Sequence, residues 1–451
     1  MSTKQYLSIA SSNGNSGVFG FSKGTPQLRF DIADRGILQA KELRFQGTLK
    51  IEKRTDGSRP LIATDVNIDA FSAVQGVIQT LELSSRAYSS RALETIQNYP
   101  RLVSSQMSSL HSKAQYSTQL THEQMSKGRG FDTESTRTDT NAEDPFTQAK
   151  NTLAQRIPLL RPDGVSFDMR LVCGMMMSEN LDLEMLGGLT IELTLAPDSN
   201  FLYGINSGDF RYVIENPRLI VPVLDKTPKE QMSLANNPNP TLQFLSFTSL
   251  YNTITSTDNQ IVHRTNLRSV ISSFQNYIPV KYINNQNSNG LGQYNPDVKR
   301  LTFHKGASRF PLEYSILVDD DPTKTLNTQP TTYPQVLINY MDAFRNFTEV
   351  KKSCINKSLS ATPLNMVYYE NPAVITPATT HGLGGVYGSG CSYDAVSHSG
   401  ISATNDTLGL EIQSGITDPA DTTLKTPYAI YTYYLCKNMV RISNNNLEVM
   451  S

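Results

Sequence analysis

The chain has 451 residues, with 40 Lys and Arg against 41 Asp and Glu, for a formal net charge of −1. That length exceeds one ordinary core and suits about two to three domains, while the charge balance removes any global electrostatic pull toward nucleic acid or an anionic membrane. Charged residues make up 18% of the chain, and the abundance of Asn, Ser and Thr favours β structure with polar turns, with little charge repulsion to oppose self-association.

The N-terminal MSTKQYLSIASSNGNSG lacks the basic and apolar regions of a signal peptide, so synthesis inside a cell without a secretory signal is expected. Residues 1–29 are expected to form an arm, its first 25 residues ordered only against a neighbour. KELRFQGTLKIEK places Leu43, Phe45, Leu49 and Ile51 on one face and predicts a strand. A second strand is predicted at 77–85. In RALETIQNYPRLVSSQMSSL, Leu93, Ile96, Gln97 and Tyr99 suit a helical face that Pro100 breaks or restarts. Residues 111–150 form a polar insertion. Strands follow at RIPLL, at VSFDMRLVCG and at LTIELTL, where Leu189, Ile191, Leu193 and Leu195 alternate with Thr190, Glu192 and Thr194. FRYVIENPRLIVPVLD adds one or two more, closing a first unit over residues 30–225.

A Pro- and Asn-rich stretch at 226–241 reads as a linker, and residues 242–451 as a second unit with a C-terminal tail. Here LQFLSFTSLYNTITST is strand-like, and NLRSVISSF spaces Leu267, Val270, Ile271 and Phe274 as an amphipathic helix. RLTFHKG and FPLEYSILV predict strands. TYPQVLINYMDAFRNF predicts a helix through Leu337, Tyr340, Met341 and Phe344. TLGLEIQSGI and PYAIYTYYLCKNMVRI complete the strands. No regular β-α alternation is present, which argues for antiparallel sandwiches and against a doubly wound sheet.

The chemical inventory yields no catalytic, cofactor-binding or metal-binding residue. Cys173, Cys354, Cys391 and Cys436 form no CxxC pair and read as reduced, buried thiols. HGLGGVYGSG at 381–390 is glycine-rich but lacks the strand-before, helix-after context of a phosphate loop. Asp319, Asp320 and Asp321 lack the spacing of a calcium loop. His111, His122, His263, His304, His381 and His398 are scattered, and no GxSxG elbow occurs. The sequons at Asn346, Asn356 and Asn405 are expected to be unused.

Taken in order, LRFQGTLKI, AVQGVIQTLELSS, LETIQNYPRLVSS, RIPLL, LGGLTIELTLAP, SLYNTITSTDNQIVHRTNLRSVISSF, RFPLEYSI, YPQVLINYMDAF, GVYGSGCSYDAVSHSGI, TLGLEIQSG and PYAIYTYYL resemble segments of the double jelly-roll major capsid proteins of eukaryotic double-stranded DNA viruses, especially the virophage and polinton-like groups. The resemblance runs over about residues 30–440, with LRFQGTLKI taken as the first long strand. It implies an all-β chain of two consecutive eight-stranded antiparallel jelly rolls with short helical insertions. It also implies a structural, non-enzymatic role: homotrimeric capsomers of pseudo-hexameric outline tiling an icosahedral shell. Implied partners are the chain itself, neighbouring capsomers, penton and minor capsid proteins and an internal membrane, with no sequence-specific nucleic acid and no cofactor. Two alternatives stay open. One is a carbohydrate-binding or carbohydrate-active β-sandwich, for which the absence of tryptophan removes the usual stacking residue. The other is a minor capsid or vertex protein.

Overall fold

The computed structural model of the chain describes residues 3–13, 17–58, 66, 68–69, 72–88, 92–110, 164–178, 180–204, 206–237, 240–255, 258–265, 267, 269–283, 290–291, 298–310, 316–317, 342–343, 388–393, 400–404, 406–414, 427–443 and 446–450. Outside them lie 111–150, the RIPLL segment, the three aspartates, most of 381–390, and the helix predicted around 337–344 except Asp342 and Ala343, which are helical.

In chain order the strands of the first half are β1 (Lys4–Ala10), β2 (Val18–Phe19), β3 (Gln27–Ile32), β4 (Ile37–Gln39), β5 (Arg44–Lys53), β6 (Ile78–Ser85), β7 (Ala92–Gln97), β8 (Val165–Arg170), β9 (Asn180–Asp182), β10 (Leu189–Leu195) and β11 (Phe210–Leu224). Those of the second half are β12 (Thr241–Ile254), β13 (Asp258–Thr265), β14 (Val270–Pro279), β15 (Val298–Lys305), β16 (Ser308–Phe310), β17 (Ile316–Leu317), β18 (Gly388–Ser392), β19 (Asp406–Ser414), β20 (Tyr428–Ser443) and β21 (Asn446–Met450).

Alternation makes these segments strands, and pairing buries the apolar side. In β10 the side chains of Leu189, Ile191, Leu193 and Leu195 are buried. Leu193 lies opposite Leu81 of β6 on one side and Leu28 of β3 on the other. On the outer face Glu192 meets the Arg29 guanidinium at 3.3 Å. Gly187 and Gly188 lead into the strand with φ of 64° and 84°, a left-handed turn that a side chain resists. The facing sheet supplies Phe45, which packs edge-on to Phe30 and tilted against Phe167, with ring centroids 5.9 and 5.1 Å away.

The sheet orders reveal the same topology twice. In the first half β1, β11, β5 and β8 lie side by side in one sheet, and β3, β10, β6 and β7 in the other. Counting the long strands β1, β3, β5, β6, β7, β8, β10 and β11 along the chain, these orders are first–eighth–third–sixth and second–seventh–fourth–fifth. In the second half β12, β20, β14 and β18 repeat the first order, and β13, β19, β15 and β16 repeat the second. Each half is therefore a jelly roll, and the fold is a double jelly roll.

Several expectations need correction. The described residues among 1–29 form no free arm: β1 pairs with β11 from Lys4 opposite Leu224 to Ala10 opposite Arg218. β1 is the first strand of the roll, so LRFQGTLKI, in β5, is the third. As an edge strand with most side chains in water, β1 has little reason to alternate, which hides it in the sequence. Residues 92–97 are a strand, and a helix begins only at Tyr99, with Pro100 in its first turn. NLRSVISSF is not helical either. Its residues 270–274 open β14, whose Phe274, Ser272, Ser273, Gln275 and Asn276 are all buried. A strand covered on both faces loses the period-two signature, and helical spacing can then arise by coincidence. FRYVIENPRLIVPVLD makes one strand, β11, with its register shift between Glu215 and Arg218. Pro217, which has no N–H to give a ladder, sits in that bulge. The stretch 226–241 contains a helix, Pro228–Ala235. Thr227 and Glu230 bond reciprocally at its start, as in a capping box. The C-terminal residues form β21, folded back on β20 from Met439 opposite Met450 to Ser443 opposite Asn446.

Leu193→Asp puts a carboxylate into the dry centre of the first roll. We expect a loss of about 4 kcal/mol or more, seen as insoluble protein or as loss of the cooperative thermal transition. A soluble variant melting like the parent protein would contradict this core.

Candidate functional site: the seam between the rolls

The described residues present no catalytic constellation, and among them no group of three or more His, Cys, Asp or Glu side chains stands placed to hold a metal ion. His304 lies on β15 with its Nε2 3.3 Å from Glu411 Oε2 of β19, a surface pair on one sheet. His263 falls in β13, and the other four histidines lie outside the described residues. Residues 388–390 of the glycine-rich segment belong to β18 and pair with β14, so that part is a strand and no phosphate cradle. Cys173, Cys391 and Cys436 are free and buried, and burial pushes the thiols of Cys391 and Cys436 up to about 12. Cys354 lies outside the described residues. Among the described residues no helix is long and apolar enough to cross a membrane.

What the fold builds with most care is the junction of its halves. The second sheet of the first roll and the first sheet of the second roll are one nine-stranded sheet, joined where β7 meets β12. Among the described residues that junction is the one parallel strand pair, with the single register Thr95 opposite Thr248. One bridge cannot satisfy the edge of a 14-residue strand, and an open edge invites foreign strands. Side chains of the first roll close it instead. The Leu245 N–H donates to Ser178 Oγ at 3.1 Å and the Phe247 N–H to Glu94 Oε1 at 2.7 Å. In the other direction the Gln97 N–H donates to Ser249 Oγ at 2.9 Å.

Glu94 is the centre of this arrangement. Its Oε1 also accepts the Gly174 N–H, and its Oε2 the Met175 N–H, both at 2.8 Å. The side chain sits on β7, beside Leu83 of β6, and the residue is 3% exposed. Burial pushes its carboxyl up to about 7, against the pull of the three backbone donors. Burial wins because it penalises only the ionised form, whereas amide donors bond a neutral carboxyl as well, if more weakly. Gly174 is required here by space: a Cβ would lie 2.5 Å from Ser246 Cα on β12.

The helix Tyr99–Leu110 then covers the outer face of the second roll. The Arg101 guanidinium stands 4.1 Å from the centroid of Tyr431 and donates to the Gly290 carbonyl. The Arg101 carbonyl accepts from Asn276 Nδ2 at 3.2 Å. Tyr433 donates to the Asn98 carbonyl at 2.8 Å and stacks on Phe274 at 5.4 Å. Tyr99 anchors the helix in the first roll, donating to Gln75 Oε1 at 2.6 Å and accepting the Val172 N–H at 2.8 Å. At the start of the stretch between the rolls, the buried Lys226 ammonium lies 2.7 Å from both Asp182 and Glu184.

Sequence reasoning missed this seam. The signal it left was a glutamate in an apolar run, LETI, and a glycine amid the methionines of CGMMM. The large apolar side chains standing exposed among the described residues are Tyr6, Leu7, Phe21, Met232 and Tyr251.

No protein-family model matches the sequence, and no curated protein matches it. Solved structures do. The chain is similar to the 3.5 Å cryo-EM structure of the Sputnik virophage, with a TM-score of 0.54 and 12% identity over 99% of this chain and 88% of that one. It is also similar to a quasi-atomic model of the PBCV-1 virus capsid, with a TM-score of 0.50 and 9% identity over 100% of this chain and 97% of that one. At such identities the likeness establishes the fold, and it extends over both rolls.

Gly174→Val drives a side chain into the backbone of β12. Overpacking of this kind costs about 1–3 kcal/mol. Calorimetry should show a lower melting temperature, and proteolysis should cut between the rolls earlier than in the parent protein. An unchanged melt and cleavage pattern would mean that the seam does not pack as described.

Proposed function

We propose that this chain is a major capsid protein: a non-enzymatic building block that self-assembles into homotrimeric capsomers and tiles an icosahedral virus shell. The observation that carries the reading is the repeated jelly roll set side by side in one chain, matched along its length by structures of a virophage and of a virus capsid. Three such chains around an axis present six sandwiches and hence a pseudo-hexagonal outline. A closed three-fold ring needs only one heterologous interface repeated three times. Near-neutral charge leaves little repulsion between copies. Neighbouring capsomers, penton and minor capsid proteins are the partners this role requires, with an internal membrane as a further contact. The location is the virion, after synthesis in the host cell.

Purified protein should scatter light with the mass of a trimer, and negative-stain images should show particles with a hexagonal outline. A monomer that persists at high concentration would count against the assignment.

A further inference from the structure

The first sheet of the first roll ends in an open edge: among the described residues β1 pairs on one side only, with β11. The Asp225 N–H donates to the Thr3 carbonyl at 3.1 Å, which makes these two a hydrogen-bonded pair, and such pairs alternate along an antiparallel ladder. The N–H groups of Tyr6 and Ser8, an odd number of residues further on, therefore point away from β11. Proteins blunt such edges with proline, a bulge or a very short strand, yet β1 is 7 residues long, without proline and in unbroken register. Its lysine, Lys4, is engaged with Glu42 and the Tyr6 ring. β2 lies on the same side of β11, since β5 holds the other side along residues 210–220. Tyr6, Leu7 and, just past β2, Phe21 thus stand along one edge, 62%, 41% and 44% exposed. The second roll shows what such an edge is built to meet. Its own first strand is β12, which lies beside the eighth, β20, and has its outer edge closed by β7, the fifth strand of the first roll. There Phe247 is 1% exposed, and the N–H groups of Leu245 and Phe247 both bond across the seam. The fifth position of the second roll is held by β16, the last strand of its sheet, whose outer edge is also open among the described residues. One chain therefore carries an open first strand and an open fifth strand, the two halves of the junction it already makes once.

We propose that the β1 edge of one copy docks against the β16 edge of a second copy, repeating between chains the junction that β12 and β7 make within one. The occupant is another copy of this chain, because the chain itself carries the complementary edge. As in the seam, the two strands run parallel. Tyr6, Leu7 and Phe21 pass from water into the contact, and the outward amides of β1 gain acceptors from the neighbour. The contact is head-to-tail, the kind that can close into a ring; that the ring has three members rests on the capsid reading.

The test uses the full chain. Ser8→Pro removes an N–H that gives nothing to the β1–β11 ladder, and Tyr6→Glu sets a charge where an exposed ring stood. Light scattering should give the mass of a trimer for the parent protein and of a monomer for each variant, with a cooperative melt kept in both. In trimers co-assembled from isotopically light and heavy protein, an amine-reactive cross-linker should join Lys4 or Lys23 of one copy to Lys305 of another, which lies opposite Ser308 of β16. A parent trimer that both variants leave intact, or whose links between copies leave these lysines out, would overturn the interface while the capsid reading stands. A parent monomer would overturn both. Should the variants fail to fold, hydrogen exchange on the parent trimer decides: a peptide spanning 4–10 should be protected at all its amides, and fast exchange of the half that points away from β11 would sink the proposal.

Discussion

An edge strand that must be joined to another domain without a ladder is the constraint on which this molecule turns. β12 opens the second roll, and its outer edge faces the last strand of the first roll's inner sheet across a single parallel bridge, Thr95 to Thr248. Parallel ladders need both strands to run on together for several residues. Here they do not, so β12 would be left with unpaired amides in a water-poor cleft. Glu94, Ser178 and Ser249 take over that hydrogen bonding. Once a carboxylate is used for the purpose, Gly174 has to come close enough for its amide to reach it, and no side chain fits at that position.

The helix Tyr99–Leu110 follows from the same junction. The inner sheet of the second roll has two covered faces, one against its own partner sheet and one against this helix. That is why β14 buries Ser272, Ser273, Gln275 and Asn276 alongside Phe274 and Tyr277. Several of these polar groups find partners: Asn276 Nδ2 on the helix carbonyl of Arg101, and Tyr277 and Gln275 on Ser389. The guanidinium over Tyr431 adds an attraction that works best where water is excluded. Two rolls that could have been beads on a string thereby share one sheet and one helix that bonds to both.

Charge is handled differently inside and outside. On the sheet faces it is paired locally, as in Arg44 with Asp168, Lys50 with Glu215, and Glu52 between Lys23 and Arg211. Pairs like these contribute little to stability in water. Within the chain Lys226 is buried yet bracketed by two carboxylates. Glu94 is the exception, buried without a counter-ion among the described residues and held by three backbone amides instead.

Much of the architecture was legible in the residues. Leu189 to Leu195, Phe45 to Ile51 and the Leu408–Leu410–Ile412 run of β19 each put their apolar side chains on one face, and all are buried as that pattern requires. Half-buried strands announce themselves because one side of the sheet is wet and the other dry. Strands at the two extremes do not. β1 is wet on most of its length, and β14 is dry on both faces, so neither alternates, and Leu267, Val270, Ile271 and Phe274, at the start of β14 and just before it, carry helical spacing by coincidence. The seam was hard to read for another reason: Glu94, Gly174 and Phe247 lie far apart in the chain, and the glutamate of LETI and the glycine of CGMMM do not point to each other. Sequence by itself determined the class of structure, the near-neutral net charge and most strand positions, since these depend on each residue's own chemistry and its contact with water. Only the tertiary structure decided which strand starts each roll, how the rolls join and which carboxylate lies between them, since these depend on long-range pairing that local periodicity does not encode.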